Sequence, residues 1–299
     1  MQGARETEIV VHEWVPRKIR GTMICVHTIS GCGHEFACLA EYLAARGFHC
    51  IAPDLPGHGQ TQVVPGQIAD EAHVTRCLFS LARSVENAPV YYLGSSWGGH
   101  LLLPVLLTGM CRVDGLFLND VLLEAHDLLR AVPERVVKKS GKTLTGLDDV
   151  LAAIRAEATG PYRQTDLEDI KDDVLTEWAR HRFVEGRNGE WSERFHGPTV
   201  EALAATPRSG IAPTKLPARQ IARLTCPITM IYGSESPFAD TKSLATLLGL
   251  RANVSLLTLK GGHAPKLMTD YQAEAVFNAM CQMGYDPTSE AQTSQPTRC

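Results

Sequence analysis

The chain has 299 residues, 44% hydrophobic and 21% charged, with a formal net charge of −4. That is ordinary for a globular protein with a sizeable core. The mild acidity and the absence of a basic cluster argue against a nucleic-acid partner. No apolar run reaches bilayer-spanning length, and no apolar segment precedes the first expected strand, so neither a membrane anchor nor a secretory signal is expected. The nine cysteines are odd in number and include no Cys-x-x-Cys pair, so neither a disulfide framework nor a cysteine zinc site is suggested. Reduced core thiols in a cytoplasmic protein are the expectation.

In chain order, residues 9–14 form a β-branched run and residues 22–27 (Thr-Met-Ile-Cys-Val-His) a compact apolar strand. Residues 35–46 place Phe36, Leu39, Ala40 and Leu43 on one helical face and stop at Gly47. A short strand at 49–52 leads into the turn Asp54-Leu55-Pro56-Gly57-His58-Gly59, and a helix is expected over 70–86. The strand at 90–93 then runs into Gly94-Ser95-Ser96-Trp97-Gly98, a second apolar run follows at once, and another strand covers 115–118. Short apolar strands alternating with helices imply a parallel sheet covered on both faces.

Residues 122–223 differ. Charged, helix-forming stretches dominate (147–158, 167–184), a turn cluster lies at Arg187-Asn188-Gly189, and strands are expected to return only at 227–233 and 254–259, before a last helix at 271–282. The simplest organisation is a sheet core in two parts, 1–121 and 224–284, interrupted by a helical insertion at 122–223. The Ser-, Thr-, Pro- and Gln-rich residues 285–299 read as a frayed tail.

The stretch around Ser96 is the most informative. A strand that ends in Gly-x-Ser-x-Gly and turns directly into a helix exposes the serine on a strained turn, facing the free N–H groups and positive dipole end of that helix. The motif alone arises by chance in roughly one of ten chains of this length, so its flanking strand and helix carry the inference. A serine hydroxyl needs a base. His263, in Gly261-Gly262-His263 after a strand, is the candidate among eleven histidines.

Together these signals resemble the α/β-hydrolase superfamily over nearly the whole chain. His27 with the glycine-rich turn Ser30-Gly31-Cys32-Gly33 is similar to the family's oxyanion loop, the Asp54 turn to the one after its fourth strand, the Ser96 motif to its nucleophile elbow, and His263 to its catalytic histidine. The resemblance implies an α/β-hydrolase fold with residues 122–223 as the cap, and Ser96 as nucleophile with His263 as base. It also implies an oxyanion hole from the backbone N–H groups of Ile29 and Trp97, with no cofactor and no metal. The family commonly carries its acid as Gly-x-x-Asp-Pro, where this chain has Gly233-Ser234-Glu235-Ser236-Pro237. Asp120, one strand after the nucleophile, is the expected replacement, with Glu235 and Asp240 as alternatives. Thr28 stands where the family's His-Gly-x pattern has glycine.

The expected activity is hydrolysis of a small-molecule carboxylic ester or lactone. The alternatives are carbon–carbon bond hydrolysis of a diketone-type ring-fission product and non-catalytic ligand binding on a hydrolase scaffold. A small-molecule substrate is the expected partner, and a homodimer is left open. Trp178, Phe183 and Trp191 are candidate pocket residues, against their being the core of the insertion's helices, and Arg182 and Arg187 are candidates to meet an anionic substrate.

Overall fold

The computed structural model describes residues 8–63, 68–85, 89–123, 142–205, 218–239 and 241–287. Its main sheet is built from β1 (Val11–Trp14), β2 (Gly21–Val26), β3 (Phe48–Pro53), β4 (Val90–Ser95), β5 (Gly115–Asn119), β9 (Ile228–Gly233) and β10 (Val254–Leu259), in the order β1-β3-β2-β4-β5-β9-β10. Only β1 is antiparallel to its neighbour, at the edge. The inner strands read as continuous apolar runs because both faces are covered. In β2, Ile24 and Val26 face one core layer while Met23 and Cys25 face the other, the two-residue period of an extended chain.

Helices α1 (Ala37–Ala44) and α9 (Asp270–Gln282) cover one face through Leu39, Leu43, Val276 and Met280. The other face is covered by α2 (Glu71–Ser84), α3 (Trp97–Leu107), α7 (Ala218–Ile221) and α8 (Thr241–Leu250), through Val74, Leu78, Leu101, Leu102, Ile221 and Leu247. Asp70 caps α2 by accepting the His73 N–H at 2.7 Å. Expected to open a frayed tail, Tyr285 is instead buried, with its ring 4.8 Å from that of Phe48.

Between β5 and β9 in the chain lie β6 (Leu144–Thr145), α4 (Gly146–Arg155), α5 (Asp172–Arg182), β7 (Phe183–Glu185), β8 (Glu190–Glu193) and α6 (Gly197–Ala205). The sequence suggested no strands here, yet β6, β8 and β7 form a separate antiparallel sheet; none of the three joins the main one. Phe-Val-Glu and Glu-Trp-Ser-Glu are too short, with too little apolar alternation, to announce strands. The turn cluster Arg187-Asn188-Gly189 was the usable signal, because it forms the β7–β8 hairpin loop with Gly189 at φ +74°. The helix expected over 167–184 is shorter. A 3₁₀ turn spans Thr165–Asp169, and α5 starts only at Asp172, where two acidic residues meet its positive end.

This segment has its own core of Val150, Ile154, Leu175, Trp178 and Phe183, which Trp191 packs against. Trp178 and Phe183 are therefore core residues here. Arg182 is 5% exposed and bonded to Glu157 at 2.9 Å and Glu193 at 2.7 Å, so its charge is already matched inside the segment, while Arg187 is exposed in the hairpin loop. Neither arginine is placed by these contacts for the anion-binding role suggested by sequence. Removing the guanidinium takes the charged partner from the buried Glu193 carboxylate. We therefore expect Arg182→Ala to lower unfolding free energy by about 3–5 kcal/mol, read from urea unfolding followed by tryptophan fluorescence.

Candidate active site

The carboxyl ends of β4, β5 and β10 bring three distant residues together. Strand β4 ends at Ser95, and Ser96 then takes φ 50° and ψ −115°, outside the ordinary range for a residue with a side chain. Its N–H is held by the Asn119 carbonyl at 2.8 Å, and α3 begins at the next residue. Gly98 permits the tight return of the chain, since a Cβ there would lie 2.3 Å from the Val26 carbonyl oxygen. The serine hydroxyl is consequently held out at the start of a helix, with its Oγ 2.7 Å from His263 Nε2.

His263 lies on the loop after β10, whose shape depends on close packing against residues 162–164. Its N–H donates to the Tyr162 carbonyl (2.8 Å) and its carbonyl accepts from Gln164 Nε2 (2.5 Å). Gly262 is required because a Cβ would fall 1.9 Å from the Arg163 carbonyl oxygen. The Phe238 ring stands edge-on to the imidazole, with centroids 4.4 Å apart. Behind the ring, fully buried Asp120 puts Oδ2 3.2 Å from His263 Nδ1 and 2.9 Å from the Ala264 N–H. The imidazole contact is within ion-pair range without the alignment of a good hydrogen bond. Glu235, the sequence alternative, is exposed and accepts from the Thr165 hydroxyl at 2.8 Å; Asp240 lies outside the described residues.

The loop over residues 27–36 forms the other wall. His27 Nε2 accepts the Leu55 N–H at 3.1 Å, so its Nδ1 carries the hydrogen given to the Thr28 carbonyl at 2.7 Å. His58 Nε2 lies 2.8 Å from the Ile29 carbonyl, tying the loop to the Asp54 turn. Asp54 accepts the N–H groups of Gly33 (2.7 Å) and Gln60 (2.8 Å) and faces His12 Nε2 at 3.2 Å. Burial opposes its charge, but His12 and the two N–H groups win and lower its pKa. Thr28, in the place of a glycine, gives its N–H to the buried Glu35 carboxyl at 3.2 Å. Among the described residues, the N–H groups of Ile29 and Trp97 donate to no protein acceptor.

Tyr162, Gln164 and Phe238 were not singled out from sequence. No motif marks them, because they meet His263 only through packing of segments far apart in the chain. The described cysteines are all free thiols, and no helix among the described residues is long and apolar enough to cross a membrane.

Comparison with known proteins agrees with this architecture. Residues 21–145 match the family model described as alpha/beta hydrolase fold. The chain has the α/β-hydrolase fold. Among solved structures, this chain is similar to a hydrolase from Rickettsia typhi at 16% identity, with 92% of this chain and 91% of that one covered and a TM-score of 0.75. It is similar to E-2-(acetamidomethylene)succinate hydrolase (16% identity, 91% and 95% covered, TM-score 0.72). A third similar structure is a thermophilic esterase from Thermogutta terrifontis (16% identity, 93% and 95% covered, TM-score 0.66). A search of curated proteins by sequence finds no significant match.

Two histidines near the site are kept neutral by burial. His27 is lowered first by burial and then by His58, and His100, four residues after Ser96 on α3, is lowered to about 4 by burial and then by His263. An unfolded chain protonates such rings from about pH 6.5 downward while the folded one does not, so folding stability drains away as pH falls through that window. We expect unfolding free energy to fall between pH 6.5 and pH 4, and His100→Phe to remove a share of up to about 1.4 kcal/mol per pH unit. Urea unfolding at stepped pH reads the slope.

Proposed function

We propose that the chain is a cofactor-independent serine hydrolase of small-molecule carboxylic esters or lactones. The observation that carries this reading is the Ser96 Oγ–His263 Nε2 contact of 2.7 Å, at a strained strand-to-helix turn, with the buried Asp120 carboxylate behind the ring. Ser96 attacks the acyl carbon as its proton passes to His263 Nε2. The oxyanion that forms is met by the N–H groups of Ile29 and Trp97, donors of a kind whose loss costs roughly 3 kcal/mol in the transition state. Asp120 holds the imidazole with its hydrogen on Nδ1 and favours the imidazolium.

As the intermediate collapses, His263 returns the proton to the leaving oxygen, giving the alcohol and an acyl-Ser96. Water activated by the same ring then releases the carboxylic acid. The likeness to the Thermogutta terrifontis esterase supports an ester substrate. Against a non-catalytic binding scaffold stands Asp120: the absent acid at position 236 leaves the histidine without a carboxylate only if no other reaches it, and Asp120 Oδ2 lies 3.2 Å away.

Ser96→Ala is expected to lose about 10⁶-fold in turnover of an activated ester while keeping its circular dichroism spectrum. The wild type reacts with a fluorophosphonate probe and the variant does not; an unlabelled wild type that turns over no ester or lactone defeats the proposal. For the acid, Asp120→Asn is expected to lower turnover by roughly 10⁴-fold, because the amide favours the wrong tautomer. Glu235→Gln should stay within a few-fold of wild type. A larger loss in Glu235→Gln than in Asp120→Asn reverses the assignment.

A further inference from the structure

A second group of chemically capable side chains lies where α5 meets the 27–36 loop, and the hydrolytic chemistry makes no use of it. His34 sits in the short turn Gly33–Phe36, while Glu177 and His181 are one helical turn apart on a single face of α5. One ligand atom from each of the three lies within 4.8 Å of the others. His181 Nε2 is 3.3 Å from the Glu177 carboxylate. The His34 and His181 rings are stacked 3.6 Å apart and within 5° of parallel, and His12 stands edge-on to both, at 5.7 and 5.5 Å. His34 Nδ1 is buried and has no hydrogen-bond partner among the described residues.

From this arrangement we infer that His34, Glu177 and His181 form a binding site for a divalent transition-metal ion of the zinc class. Two imidazole nitrogens and one carboxylate oxygen suit zinc, nickel, cobalt and copper, and give magnesium and calcium little purchase. Burial first, and then neighbouring imidazoles, lower the pKa of His34 to about 4, and burial followed by His12 lowers that of His181. Glu177 supplies a carboxylate from the exposed side. A ring nitrogen donates in the plane of its ring, so binding one ion requires the two imidazoles to turn out of their present stack. An ion held there joins α5 to the loop that also carries Ile29. No cysteine takes part, so the site carries none of the Cys-x-x-Cys spacing that marks thiolate zinc sites in a sequence.

The test is equilibrium dialysis of the purified full chain against zinc, with cobalt as a spectroscopic substitute. We expect about one zinc retained per chain at micromolar free metal, none of the effect with magnesium, and a cobalt spectrum with d–d bands but no thiolate charge-transfer band. Glu177→Gln, on the exposed face of α5, and the half-buried His181→Ala and His34→Ala should each weaken zinc binding by at least about tenfold while circular dichroism is unchanged. Ser96→Ala should bind zinc like the wild type, which separates this site from the hydrolytic one. Absence of retained zinc overturns the inference, as does undiminished binding in a His34→Ala/His181→Ala double variant or a cobalt spectrum dominated by thiolate.

Discussion

Asp120 lies where β5 leaves the sheet, fully buried and in a left-handed backbone conformation at φ 53°. Aspartate is among the few residues with a side chain that enter this region at modest cost. A charge so deep in the protein is tolerable only if paired and hydrogen-bonded. Its own N–H is fixed by the Ile231 carbonyl at 2.7 Å, which sets where the side chain leaves the backbone, and its partners come from the loop after β10. They are the Ala264 N–H and the His263 ring. The histidine loop crosses the sheet edge beside this carboxylate, with Nε2 facing Ser96.

Around that anchor the neighbouring segments act as braces. Asn119, immediately before Asp120, gives its side-chain amide to Ser95 Oγ and the Pro265 carbonyl, both at 2.9 Å, so one residue links the serine turn to the histidine loop. From the inserted segment, Tyr162 and Gln164 take up the backbone N–H and carbonyl of His263. The segment between β5 and β9 thus contributes to the position of the histidine as well as packing its own core.

The opposite wall is a chain of buried polar groups: His12 to Asp54, Asp54 to Gly33 and Gln60, His58 to Ile29, and His27 to Leu55. Asp54, its acidic member, is met by two N–H groups and by His12, and contacts of this kind stiffen a loop. Glu35 joins it from below by accepting the Thr28 N–H, and burial raises its pKa to about 7. Threonine is accommodated where the family pattern has glycine because the loop is held through its backbone groups.

By itself the sequence determined the alternating strand–helix order, the strained turn at Ser96 and the helix after it. These depend on residues close together in the chain: apolar runs of strand length, glycine where atoms crowd, and Asp70 or Gly47 at a helix end. Its resemblance to the α/β-hydrolase family pointed to Asp120, at the end of the strand after that of Ser96, with Glu235 and Asp240 as alternatives. The tertiary structure alone decided that Asp120, and not Glu235, approaches the imidazole, because that depends on which strand end the histidine loop crosses. It alone showed the β6-β8-β7 sheet, whose short polar strands are stabilised by pairing more than by their own pattern, and the pairing of Arg182 with Glu157 and Glu193. The parts of the site contributed by Tyr162, Gln164 and Phe238 were likewise settled only by packing, since each meets His263 across a gap in sequence that local physics does not span.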